Sequence, residues 1–342
     1  MSRALFFAPW LLLVPALGPS SEPSTARGWW GASLALHPRE SARQGFAYPP
    51  DPAPLAGLGA RHVLLAPTWV QADPRSSAIG PGEVRGGTLR RVMRRARALD
   101  LGVVLMPYLV LARAAPGEWR GRIRPRDRAA WWRSYRRFVR HHARLAAEER
   151  AELFAIGSEL TSMSGPGEAG RWRSLAAEVR GIYDGPIAWV ANHDALDRRA
   201  PFEAVDVIGV SAYFPLAEEP GASEGAMRRR ASAHVRRLRA LRAEVGKPLV
   251  LFELGYPSRR GGAVRPWDDA SPAPADPETQ RRAWAAMRGA LEGEGALGPR
   301  GWLDGLFAWT WFGPGGVHDR HYTVRGKPAE AELRALLRAA SR

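Results

Sequence analysis

Two glutamates, Glu159 and Glu253, stand where a carboxylate is hardest to leave idle. Each lies near the end of an apolar run, Phe154-Ala155-Ile156-Gly157-Ser158-Glu159-Leu160 and Leu249-Val250-Leu251-Phe252-Glu253-Leu254-Gly255-Tyr256. Runs of this length and composition read as parallel strands buried on both faces. A carboxylate at the C-terminal end of such a strand is costly unless it is paired or used. Two of them at equivalent strand ends predict one site with two acids, an arrangement suited to glycosidic bond cleavage by an acid and a nucleophile.

The other side chains at the same ends fit that chemistry. They are Thr68, Trp69 and Gln71 in the second run, Tyr108 in the third, Ser158 in the fourth, and Asn192 and His193 in the fifth. Tyr213 follows in the sixth, Tyr256 in the seventh, and Trp309 and Trp311 in the eighth. Sugar rings stack on tryptophan and hydroxyls bond to Asn, Gln and Glu. The set contains no metal-ligand cluster and no serine–histidine nucleophile pair, and no cofactor is implied. Each residue also has a plainer reading. Glu159 or Glu253 can cap a helix or pair with an arginine, Trp69, Tyr213 and Trp309 can be packing residues, and Asn192 can satisfy loop backbone. His141 and His142, mid-helix, and His318-Asp319-Arg320-His321, in a Gly-rich loop, read as surface, seam and loop chemistry rather than metal sites.

The elements that must position these residues alternate along the chain. Strand-like runs occupy residues 29–36, 62–69, 102–111, 153–160, 187–192, 205–214, 249–256 and 305–312. Amphipathic segments occupy 88–99, 127–149, 170–183, 226–245, 278–291 and 329–340, with a short helical candidate at 54–59. Asp127 is a plausible N-cap, and Gly246 with Pro248 marks a helix end and a strand start. Eight strand–helix units predict an α/β fold, a (β/α)8 TIM barrel in one domain over residues 27–342. A doubly wound sheet is the competing architecture, but Leu36-His37-Pro38 after the first strand is no phosphate loop. Three βα units of about 30 residues each separate Glu159 from Glu253. That places them on strands four and seven, facing one cleft at the barrel mouth. The Pro/Gly-rich stretch 261–277 reads as a long βα loop of the kind that contacts substrate.

Composition narrows the alternatives. With 342 residues and 45% apolar content the chain can bury a large core. The absence of cysteine excludes disulfides, thiolate catalysis and a lipid-modified N-terminal cysteine. The formal charge of +16 comes almost entirely from arginine. Those arginines share helices with apolar residues at helical spacing, so they read as solvated faces, and no nucleic-acid partner is expected. No stable protein partner is implied. Residues 1–26, with an apolar stretch at 4–17 and Ser24-Thr25-Ala26 as a cleavage site, resemble a secretory signal peptide. This predicts a secreted or periplasmic protein, with an uncleaved membrane anchor as the alternative.

From about residue 27 to the C-terminus the chain resembles glycoside hydrolase family 113, whose characterised members are β-mannanases, within the retaining (β/α)8-barrel clan. The resemblance rests on a shared order of segments. These are Val63-Leu64-Leu65-Ala66-Pro67-Thr68-Trp69, Trp119-Arg120-Gly121-Arg122-Ile123-Arg124-Pro125, Ile156-Gly157-Ser158-Glu159-Leu160, Trp172-Arg173 and Val190-Ala191-Asn192. Asp206-Val207-Ile208-Gly209-Val210-Ser211-Ala212-Tyr213-Phe214-Pro215-Leu216, Phe252-Glu253-Leu254-Gly255-Tyr256-Pro257-Ser258, Pro266-Trp267 and Gly326-Lys327-Pro328-Ala329 follow. The resemblance implies a carbohydrate substrate, Glu159 as acid/base and Glu253 as nucleophile, with Tyr213 bonded to Glu253 and Trp309 or Trp311 flooring the sugar site. One position departs. Many clan members carry Asn before the acid/base to bond the sugar 2-hydroxyl, whereas this chain has Ser158, so either Asn192 takes over that bond or the substrate preference differs. The alternative function is a carbohydrate-binding barrel without turnover.

Overall fold

Pro67 and Pro107 interrupt the second and third strands at the same level. Each lacks the N–H that would continue the ladder and pushes its predecessor, Ala66 or Met106, into a restricted conformation. The expected run 62–69 is therefore two strands, β2 (His62–Leu65) and β3 (Thr68–Gln71), and 102–111 is β5 (Gly102–Leu105) and β6 (Tyr108–Leu111). The outer pieces leave the main sheet. β3 pairs with β6 in parallel and with β4 (Ile79–Pro81) antiparallel, forming a three-stranded annex above the barrel rim.

This computed structural model describes residues 28–341 apart from residues 37–40, 43–44, 47–49, 85 and 269. The expected signal segment 1–26 lies outside the described residues. Eight parallel strands close into a barrel in the order β1 (Trp29–Leu34), β11 (Gly305–Ala308), β10 (Leu249–Leu254), β9 (Val207–Ser211), β8 (Ile187–Asn192), β7 (Leu153–Ser158), β5 and β2. The strands read as apolar on both faces because they are buried on both faces. Leu64, Val104, Val190, Val250, Phe252 and Phe307 fill the interior, and the alternate residues pack outward against helices.

The surrounding helices are α1 (Ala53–Leu58), α2 (Gly86–Arg97), α3 (Arg128–Glu148), α4 (Ala169–Arg180), α5 (Glu224–Val245), α6 (Pro277–Gly293) and α7 (Ala329–Ser341). The Asp127 carboxylate accepts from Ala130 N–H at 2.8 Å and starts α3. Gly246, at φ 69°, ends α5 in the left-handed conformation glycine tolerates. Most large aromatics are structural here. Trp131 stacks on Tyr135 with centroids 4.7 Å apart, and Trp132, Trp172 and Trp189 continue the seam between α3, α4 and the barrel. Arginines from α2 converge on the buried Glu149, with Arg94 at 2.6 Å and Arg97 at 3.0 Å, so part of the positive charge binds helix to helix. Among the described residues no helix is long and apolar enough to cross a membrane.

The two glutamate strands deviate from regular pairing. The register shifts between Ala155 and Gly157 on β7, and between Leu251 and Glu253 on β10. An inserted residue bends a strand and re-aims the side chain that follows. Gly255 completes the fit: a Cβ there would lie 2.2 Å from the Trp309 carbonyl oxygen. Gly255→Ala is expected to overpack this crossing by about 1–3 kcal/mol. At roughly 2–4 °C per kcal/mol, thermal unfolding should show a fall of several degrees, and an unchanged midpoint would refute the crossing as a tight constraint.

Candidate active site

Glu159 and Glu253 come together at the C-terminal mouth of the barrel, 5% and 2% exposed. Glu159 takes φ 55°, a left-handed backbone unusual for a residue with a side chain, and its N–H is held by Val190 O at 2.8 Å. β7 thus ends at Ser158 and the chain turns sharply at the glutamate.

Two neighbours hold the carboxylates. Tyr213 donates its hydroxyl to Glu253 Oε2 at 2.7 Å, as the sequence predicted. Arg120 places Nη2 2.6 Å from Glu159 Oε2, and its guanidinium carbon lies 4.8 Å over the Tyr108 ring. Burial opposes the charge of Arg120, but Glu159 and Glu253 outweigh it and raise its pKa. Burial, then the charge of Glu253, drives the Tyr213 phenol well above its ordinary value, so it remains a donor.

The electrostatics follow from two acids in one dry space. Burial first, and the charge of Glu159 second, push Glu253 up to about 7, while Arg120 and the Tyr213 hydrogen bond pull it back. Below that range Glu253 holds its proton. Ser211 faces Glu253 and favours its charge, while among the described residues Ser158 Oγ meets no hydrogen-bond partner.

The remaining predicted residues divide. Tyr108 and Trp309 meet edge to face at 6.4 Å, and both pack on the top of the barrel interior, forming one wall of the mouth. Trp311 is buried in the apolar layer outside the barrel interior rather than with them, and its backbone N–H is bonded to Ser33 O. Ser158 is on β7, 2% exposed. Trp69 points away from the mouth. It packs on Phe138, His141 and His142 of α3, with centroids 5.4–5.8 Å away, because it lies in the annex rather than on a barrel strand. Gln71 is fully buried, accepting from Trp131 Nε1 and donating to Asp73 O. Tyr256 is fully buried edge-on to Trp284 of α6. Asn192 gives both amide ends to the next turn, Nδ2 to Asp194 at 2.8 Å and Oδ1 to the His193 N–H at 3.0 Å. These contacts occupy Oδ1 and one of the two Nδ2 protons. His193, half-buried, stays at the rim. Asp319, in the loop after β11, pairs with the buried Lys327 and accepts from Gly315 and His321 N–H, which is loop chemistry.

Arg120 is the residue that strand-end reasoning missed. It sits in a 3-10 turn, Arg120–Arg122, where Gly121 lets the Trp119 ring fold beneath the backbone. Ser162 Oγ bonds Ile123 O at 2.6 Å and Arg124 N–H bonds Pro74 O at 2.8 Å, so the turn is tied down on both sides. The only signal was the motif Trp119-Arg120-Gly121-Arg122 itself.

The model for Glycoside Hydrolase Family 113 matches residues 53–324. Among solved structures, a family-113 β-mannanase from Alicyclobacillus acidocaldarius, in complex with ManMIm, is 28% identical with a TM-score of 0.76, covering 93% of this chain and 100% of that one. Two further family-113 β-1,4-mannanase structures, 24% and 22% identical, superpose with TM-scores of 0.71 and 0.75, covering 82% and 92% of this chain and 89% and 99% of theirs, and show the same barrel. No curated protein matches the chain.

Removing the Arg120 charge should leave the carboxylate pair holding its proton to higher pH. In Arg120→Met, a carbon-13 NMR titration of the glutamate carboxyls is expected to show the midpoint near 7 moving upward, and an unmoved midpoint would contradict the assignment. The folded state binds this proton more tightly than the unfolded chain, so the site's contribution to stability is present at low pH and lost as pH rises from about 5 to about 7.

Proposed function

The chain belongs to glycoside hydrolase family 113, and on that premise we propose that it cleaves a β-linked mannan or manno-oligosaccharide with retention, using Glu253 as nucleophile and Glu159 as acid/base. It is a glycoside hydrolase acting on O-glycosyl bonds of a carbohydrate. One observation carries the finer reading: two buried glutamates from strands four and seven share one mouth, close enough that the charge of Glu159 helps raise the pKa of Glu253.

Double displacement uses the two acids as follows. Glu253, ionised, attacks the anomeric carbon while Glu159 protonates the departing oxygen, giving a glycosyl ester on Glu253. Glu159, now ionised, takes a proton from water, whose oxygen attacks the anomeric carbon and releases Glu253. Once the ester forms, Glu253 carries no charge, and its influence on Glu159 disappears, which suits the switch from acid to base. The Tyr213 hydroxyl favours charge on Glu253, and Arg120 favours charge on Glu159. A saccharide that draws Arg120 off Glu159 leaves the proton where the first step needs it. Trp309 with Tyr108 forms the wall against which the attacked ring is held. Ser158, short and buried, reaches less far toward the 2-hydroxyl than the asparagine of many clan members, and the second Nδ2 proton of Asn192 is the donor left to take that bond. The mannan assignment is supported by the β-mannanase named above.

Product analysis on a panel of β-mannans and β-glucans tests the substrate, and proton NMR of the first-formed anomer tests retention. Glu159→Gln should slow hydrolysis about 10²–10⁴-fold, and Glu253→Gln should abolish it. Full activity in Glu253→Gln, or an inverted first product, would sink the mechanism. Glu253 must be ionised to attack, so activity of the wild type is expected to rise with pH up to about 7 as that carboxyl loses its proton.

A further inference from the structure

Of the 50 lysines and arginines in this protein only Lys247 and Lys327 are lysine. Both place an ammonium on main-chain carbonyls. Lys247 Nζ donates to Phe202 O at 2.7 Å and Val205 O at 2.6 Å on the outside of the barrel. Lys327 belongs to the Gly326-Lys327-Pro328-Ala329 segment at the start of α7, and its side chain is fully buried. A compact ammonium with three donors fits such a place, whereas a planar guanidinium needs a wider, fork-shaped partner. Lys327 Nζ lies 3.4 Å from Asp319 Oδ1, whose side chain is also fully buried, and donates to His321 O at 3.1 Å. Asp319 accepts in turn from Gly315 N–H at 2.8 Å and His321 N–H at 2.7 Å. A buried ion pair adds little net stability over apolar packing, so its presence asks for another reason.

The pair closes a turn whose far side touches the support of Glu253. The His321 carbonyl also accepts from Ser258 N–H at 3.1 Å, which ties the loop after β11 to the loop after β10. Gln280 of α6 holds the next carbonyl, donating Nε2 to Tyr322 O at 2.9 Å and to Tyr256 O at 2.8 Å. Tyr322 is thereby packed against the end of β10. A Cβ on Gly255, two residues beyond Glu253, would stand 3.1 Å from Tyr322 Cδ1. The Tyr322 hydroxyl donates to Pro266 O at 2.6 Å, and its ring lies on the Tyr213 ring with centroids 5.8 Å apart. Tyr213 then donates to Glu253 at 2.7 Å. A continuous set of buried contacts thus runs from the Lys327 ammonium to the Glu253 carboxylate.

We propose that Lys327 is a positioning residue for Glu253: buried against Asp319 and the His321 carbonyl, its ammonium fixes the turn that stands Tyr322 behind Tyr213, and so keeps the phenol on the carboxylate. The inference rests on Glu253 as nucleophile, assigned above. Without that backing the Tyr213 ring is free to tilt, and the hydrogen bond that favours the charged carboxylate weakens. Glu159 of β7, Arg120 of the 3-10 turn, Tyr213 and Ser211 are the groups that act on Glu253. Lys327 reaches it through Tyr213 alone. Burial lowers the Lys327 pKa to about 8, against the pull of Asp319, so the ammonium is charged where Glu253 titrates.

Carbon-13 NMR titration of the Glu253 carboxyl needs no substrate and reads this coupling directly. Lys327→Met should raise its midpoint by roughly half a unit to one unit, and Tyr213→Phe should raise it at least as far. In the Tyr213→Phe background Lys327→Met should add nothing, because the two act in series. Hydrolysis by Lys327→Met at about pH 6 should show kcat down roughly three- to tenfold, KM nearly unchanged, and recovery as pH rises, since the ionised fraction of Glu253 is what changes. A lower melting temperature with an unmoved midpoint would mark a purely structural ion pair and overturn the proposal, as would additive shifts in the double variant. If Lys327→Met does not fold, Asp319→Asn replaces it: the amide oxygen still accepts from Gly315 and His321 while the charge is gone. Its midpoint should rise likewise, and an unmoved one overturns the proposal. An inactive wild type, or an active Glu253→Gln form, overturns the nucleophile reading and with it the catalytic meaning of this coupling, whatever the titration shows.

Discussion

Two carboxylates cannot both be ionised cheaply in one dry cleft. The energy of that repulsion is larger than what a surface ion pair recovers, so it has to be managed by structure. Here the management is distributed. A guanidinium lies on one acid, a phenol on the other, and Glu253 keeps its proton to higher pH than an exposed glutamate would. Around this pair the barrel is otherwise apolar, which strengthens every one of those interactions and makes each neighbour matter.

The scaffold bears the cost of aiming the acids. Regular parallel pairing would carry the side chains along the fixed alternation of each strand. Instead both strands slip register just before their glutamate, and Glu159 turns into a left-handed conformation. These departures are tolerable because the rest of the barrel is closed: no strand has a free edge, and the outer surface is sealed by aromatic seams between strands and helices. The distortion is local because the surroundings are rigid.

The barrel and its acid pair were legible in the sequence for a physical reason. Continuous apolar runs report burial on both faces, and a carboxylate in such a run has few inexpensive explanations. The eight barrel strands fall where the runs predicted, with Ile187–Asn192 matching to the residue. The same logic misplaced Trp69, Gln71 and Tyr256. A strand end says nothing of which way a side chain points once a proline has diverted the backbone, and Pro67 diverts Trp69 and Gln71 into the annex. Asn192 shows a different limit: an amide can serve a turn or a ligand, and only its partners reveal which. Arg120 and Lys327 lie in loops, which carry no period from which orientation can be read. Their placement depends on tertiary anchors such as Ser162 and Asp319.

The proline breaks at Pro67 and Pro107 also divide the molecule by tolerance to change. Above them, β3, β4 and β6 satisfy one another's backbone hydrogen bonds and ask nothing of the barrel ladder. Insertions at the tip of that annex would raise or lower one bank of the cleft while the strand registers below stay as they are. Descendants of this chain can therefore alter how much polymer they grip without renegotiating the position of either acid.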